Sequence, residues 1–93
     1  MSNYLSNETM LEFLKQVQRE QAALVSIGRS AHLDVNVHEN TFPSDGGTHI
    51  TFGLTVFEGD TLSSQYEFNA GDTEEQIQAR IASLVADINA LSE

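Results

Sequence analysis

The sequence predicts a single α+β domain over residues 1–93, in the order α-β-β-β-α: a three-stranded antiparallel meander sheet with two helices packed on one face. Three observations carry this. Apolar residues recur at helical spacing near both ends of the chain. They alternate with polar residues in three stretches between. Short segments containing glycine or proline separate those stretches. A chain of 93 residues is enough for one domain and too short for two. An apolar fraction of 40% supplies a core despite a formal net charge of −10.

The first helix is expected over 7–28, after a flexible N-terminus of residues 1–6. Met10, Leu14, Val17, Gln21 and Leu24 share one side, and Leu11, Phe13 and Val25 widen that stripe. Ser6, Asn7 and Thr9 each suit an N-cap, and Thr9 with Glu12 has capping-box spacing. Gly28 is the expected stop, because glycine accepts a left-handed backbone without a Cβ clash.

The period then changes to two. Strands are expected over 32–39, with Leu33, Val35 and Val37 on one face; over 49–57, with Ile50, Phe52, Leu54 and Val56; and over 61–69, with Leu62, Tyr66 and Phe68. A loop from Asn40 to Thr48 holds the only proline, Pro43. In the first hairpin, Val37 opposite Ile50 sets His38 opposite His49. In the second, aligned apolar faces set Val56 opposite Leu62, Phe52 opposite Tyr66 and Ile50 opposite Phe68. That alignment demands a three-residue loop, Glu58-Gly59-Asp60. A two-residue turn would bring Phe57 opposite Leu62 and turn one face over.

The last helix is expected over 72–92. Asp72 and Glu75 have cap and N3 spacing, and Glu74 adds a third carboxylate at the positive end of the helix dipole. Ile77, Ile81, Leu84, Val85, Ile88 and Leu91 form its buried stripe. A row of small residues, Ala79, Ala82, Ala86 and Ala90, suits close helix–helix contact within the chain or between copies. About twenty large apolar side chains make a thin core for a small domain, so a homodimer is expected. The alanine row and the edge strands are its candidate contacts.

The charge is placed unevenly. Residues 1–30 sum to zero, whereas residues 31–93 hold Arg80 alone against eleven carboxylates. Four Lys and Arg cannot supply the clustered positive charge that phosphate backbones require, so direct nucleic-acid binding is not expected. Without cysteine there is no disulfide, thiolate metal site or cysteine nucleophile. No leader-like segment and no apolar run of membrane-spanning length is visible, so no membrane contact is expected and the expected compartment is cytoplasmic.

Candidate chemistry is sparse. His38 and His49, with Glu67 or Asn69 nearby, have the donor types for zinc but none of its sequence spacings; two solvent-facing strand histidines are the simpler reading. His32 reads as a polar residue at the helix–strand junction. Glu58 and Asp60 sit on a hairpin tip rather than in a cleft that could separate their protonation. Ser63 and Ser64 lack a nucleophile elbow, and Asp45-Gly46-Gly47-Thr48 lacks the pattern of a phosphate loop. Neither enzymatic activity nor a cofactor is expected. Of the aromatic residues, Phe52, Tyr66 and Phe68 fall on the apolar face and Phe57 on the open one.

The element order resembles that of the double-stranded RNA-binding domain, which also packs two helices on one face of a three-stranded sheet. In that family the start of the last helix carries a basic cluster for the RNA backbone. Here the place reads Asp72-Thr73-Glu74-Glu75, which would repel phosphate. The function expected is therefore that of a small acidic protein-binding module, a regulator or inhibitor docking on a basic surface of a nucleic-acid-handling partner. Small phage or mobile-element proteins of that kind share its size and charge. The candidate contacts are Asp34, Glu39, Glu58, Asp60, Glu67, Asp72, Glu74 and Glu75. The other expectation is an oligomeric module, structural or ligand-binding, using the polar sheet face and the Ala79–Ala90 row.

Overall fold

The computed structural model describes residues 4–39 and 48–92. It has the expected order: α1 (Asn7–Ser26), β1 (Ser30–Glu39), β2 (Thr48–Glu58), β3 (Thr61–Asn69) and α2 (Glu74–Leu91). The strands form one open antiparallel sheet in the order β1-β2-β3, and both helices pack on the same face. The proline loop, residues 40–47, lies outside the described residues, as do residues 1–3 of the expected flexible N-terminus. Tyr4 and Leu5 of that segment are held in place. The Leu5 amide donates to the Ala70 carbonyl at 2.7 Å, and the Tyr4 ring stacks on His49 at 4.2 Å.

Each helix begins on a hydroxyl cap. Ser6 caps α1 by accepting from the Thr9 amide at 3.1 Å, so the Thr9–Glu12 box does not form and Glu12 pairs with Lys15 instead. Helix α1 ends two residues before the expected limit. The Gly28 amide bonds the Val25 carbonyl and the Arg29 amide bonds the Leu24 carbonyl, with Gly28 at φ +86°. This is a Schellman closure, which requires the left-handed glycine at that place. The cap of α2 also moves by one residue from the expected Asp72–Glu75 pair. Thr73 accepts from the Gln76 amide, and the Gln76 side chain accepts from the Thr73 amide. The shift frees Asp72 to pair with Arg80 at 2.6 Å.

The first hairpin has the expected register, with Val37 opposite Ile50 and His38 opposite His49. The second does not. Phe52 faces Phe68, Leu54 faces Tyr66, and Val56 faces Ser64. Gly59, at φ +62°, makes a two-residue turn with Asp60, at the position where a II′ turn requires positive φ. Pairing runs from Glu58–Thr61 and Phe57–Leu62 to Val56–Ser64, so a bulge at Ser63 absorbs one residue. That bulge keeps the large apolar residues together. Its consequence is that Leu62 stands beside Phe57 and is 54% exposed, instead of filling the core beside Val56.

The core lies between the sheet and the helices. Phe52 and Phe68 stack with ring centroids 4.9 Å apart. Over them lie Met10, Phe13 and Val17 of α1, and Ile77, Ile81 and Leu84 of α2, all buried. Leu11 and Val25, expected in the α1 stripe, are 45% and 59% exposed. Val35 and Val37 of β1 are 48% and 64% exposed although they share the apolar face, because β1 is an edge strand and α1 packs over both β1 and β2.

Phe52→Ala and Leu84→Ala should each cost about 2–5 kcal/mol in chemical denaturation. Leu62→Ala should cost under about 1 kcal/mol, because the bulge has already placed that side chain in water.

Candidate functional site

The face of the sheet away from the helices is uncovered, and the register arranges it in rows across the three strands. At its centre Asp34, Gly53 and Glu67 stand side by side on β1, β2 and β3. The neighbouring rows are His32, Thr55 and Gln65 on one side and Asn36, Thr51 and Asn69 on the other. Gly53 contributes no side chain, which leaves a depression of about 180 Å³ lined by Asp34, Asn36, Thr51, Gly53, Thr55, Gln65 and Glu67. A Cβ at position 53 would stand 3.3 Å from the Tyr66 carbonyl oxygen, so the pleat itself is tight here. The strand spacing puts Asp34 and Glu67 about 10 Å apart across the notch.

Apolar groups border this polar centre. Phe57 and Leu62 stand opposite each other toward the Gly59 turn, and Tyr4 stacks on His49 toward the other end, over Gly71. Asp34 pairs with His32 two residues away on its own strand at 3.2 Å, with both side chains well exposed. Arg80 approaches Glu67 only from behind, donating to its backbone carbonyl at 3.2 Å.

The other acidic candidates are dispersed. Glu58 pairs with Arg29 at 3.1 Å near the β2–β3 turn, and Asp60 lies on that turn. Asp72 is engaged by Arg80, and Glu74 and Glu75 occupy the first turn of α2. Glu39 pairs with Thr48 along the backbone, and its side chain lies outside the described residues. Of the eight carboxylates singled out from sequence, the fold thus brings two, Asp34 and Glu67, to one row of the open face. Gly53 was missed as a site residue. Its signal was a lone glycine inside an alternating strand.

Ala79, Ala82, Ala86 and Ala90 are all exposed, on the side of α2 away from the buried Ile77, Ile81, Leu84 and Ile88. Contact between α2 and α1 therefore does not use the alanine row. His38 and His49 are backbone neighbours, but Glu67 stands two rows away. Among the described residues no group of three or more His, Asp or Glu side chains is placed to hold a metal ion. Among the described residues no helix is long and apolar enough to cross a membrane.

Behind the open face, the Tyr66 hydroxyl of β3 donates to the Asp87 carboxylate of α2. Burial raises the Tyr66 pKa above 10.0, and the hydrogen bond to Asp87 raises it further, while one with Ser64 acts the other way. Folding thus favours the neutral phenol. The resulting stability is present in full below pH about 10 and is lost as pH rises through the raised folded value. In a Tyr4→Phe background the phenolate absorbance should titrate above pH 10, and Asp87→Asn should lower that midpoint.

No family model matches the chain, and no curated protein or solved structure matches it either.

Proposed function

We propose that this chain is a protein-binding domain whose open sheet face receives lysine or arginine side chains from a basic surface of its partner. The observation that carries this reading is the row Asp34–Gly53–Glu67, two exposed carboxylates flanking a notch in an otherwise uncharged polar face. The notch admits the end of a long side chain, and each carboxylate can hold a cation in a charge-assisted hydrogen bond. Thr51, Thr55, Asn36 and Gln65 offer further acceptors around it.

The placement of positive charge supports the same reading. Arg29 and Arg80 are tied to Glu58 and Asp72, and Lys15 and Arg19 lie on α1, beyond the helix-covered face. Among the described residues no Lys or Arg stands on the open face, whose imidazoles His32 and His49 lie outside the central row. A whole-chain charge of −10 would steer a basic partner toward it. The surfaces that proteins offer to nucleic acid have that character, which makes a nucleic-acid-handling protein the class of partner and a regulatory or inhibitory role the consequence of covering it. An exposed carboxylate pair lacks the desolvated cleft that acid–base catalysis needs, which favours a binding role over a catalytic one.

The test is an NMR titration with an arginine-rich peptide. Amide shifts should concentrate at Asp34, Asn36, Gly53, Thr55, Gln65 and Glu67. The affinity should fall by roughly tenfold or more in Asp34→Asn/Glu67→Gln, and it should fall with added salt. Shifts confined to Asp60, Glu74 and Glu75, or an affinity indifferent to salt, would overturn the assignment.

A further inference from the structure

Among the described residues, the outer edge of β1 carries few of the devices that protect a strand from pairing, Asp34 and Glu39 being its only charged residues. Among the described residues no strand lies beyond it. Its ten residues pair with β2 without a register shift, and they contain no proline and no lysine. The apolar side chains along this edge are open to water: Val35 is 48% exposed and Val37 64%, and Leu11 on the helix above is 45% exposed. We propose that β1 pairs antiparallel with β1 of a second copy about a twofold axis at Val35, joining two sheets into one of six strands.

The helix position fits this axis. Gln21 donates to the Ala31 carbonyl of β1 at 2.9 Å, which fixes the flank of α1 that borders the edge. Leu11, Leu14, Gln18, Gln21 and Val25 share that flank at alternating steps of three and four. Leu11 lies about 15 Å from Gln21 along the helix, a distance that four to five strand residues cover, so a helix running along β1 brings it to the level of Val35. Because α1 packs over β1 and β2 alike, the proposed arrangement takes its axis to be about half a strand spacing inside β1. The dimer axis lies half a spacing outside it. The two copies of α1 would then run antiparallel about 10 Å apart, the distance of packed helices, with the two Leu11 side chains meeting over the axis.

Register and charge select the same arrangement. Only pairings that match residues of one face keep both cores on one side of the joined sheet. An axis at Val35 sets Val35 against itself, Leu33 against Val37 and Asp34 against Asn36. An axis at Asp34 would oppose two like carboxylates, one at Leu33 would leave Val37 unpaired, and one at Asn36 would set Leu33 against Glu39. Residues 1–30 sum to zero in a chain of net charge −10, so the α1 side of the edge is where a second copy meets least repulsion. An edge about 33 Å long with its helix flank offers a strip on the order of 800 Å² per copy, as a stable interface requires.

The chain has no cysteine, so Val35→Cys introduces a unique thiol at the proposed axis, where directly opposed Cα atoms lie within disulfide reach. Mild oxidation should give a covalent dimer much faster than in Leu62→Cys, an exposed control. Sedimentation should show a wild-type dimer that Leu11→Glu weakens at least tenfold with an unchanged circular dichroism spectrum, and that Ala86→Glu leaves intact. A wild-type monomer at every concentration, equal oxidation of the two thiols, or dissociation by Ala86→Glu in place of Leu11→Glu would overturn the proposal.

Discussion

Alternation along β2 is the constraint on which the other features rest. Ile50, Phe52, Leu54 and Val56 point to the helices and are buried, while Thr51, Gly53 and Thr55 line the open face. As the central strand, β2 has both edges paired, and a slip of one residue against either neighbour would turn a buried set into water. The bulge at Ser63 shows how strongly that set governs. A tight Gly59–Asp60 turn and an aligned core are incompatible at equal strand lengths, and the chain gives up one ladder position rather than the stacking of Phe52 on Phe68.

The same constraint distributes the helices. Two helices fit above three strands, and α1 sits over the β1–β2 seam with α2 toward β3. The β3 side gains side-chain ties from α2 through Tyr66–Asp87 and Arg80, which reaches both the Glu67 carbonyl and Asp72. On the β1 side Gln21 ties α1 to the start of the strand, and Val35 and Val37 further along are left half uncovered or more. The domain therefore has two unlike unfilled surfaces: a polar sheet face with carboxylates at its centre, and an apolar strand edge.

Charge is sorted by neighbours rather than by sequence position. Arg29 and Arg80 each draw a carboxylate, Glu58 and Asp72, into an ion pair beside a secondary-structure boundary. Glu74 and Glu75 sit at the positive end of α2, where the helix dipole already accounts for them. Asp34 meets only the exposed His32 of its own strand, and neither it nor Glu67 is drawn to an arginine side chain through its carboxylate. They flank a glycine on the open sheet face, where none of the described residues is Lys or Arg, which is why they carry the functional reading.

Element order, the buried faces of both helices and the first hairpin register were legible in the sequence, because periodicity reports which side of an element faces the core and β-branched alternation is local. The glycine at position 28 likewise marked the end of α1 through backbone physics alone. Three features were not legible. The caps moved to Ser6 and Thr73 because adjacent residues of similar capping ability compete, and distant partners such as Arg80 for Asp72 decide between them. The second hairpin register depended on whether a bulge would repair a two-residue turn, which only the packed core answers. The exposure of Leu11, Val35 and the alanine row depended on where the helices settle across the sheet. Periodicity determines that an apolar face exists, but only the packing of whole elements decides whether anything covers it.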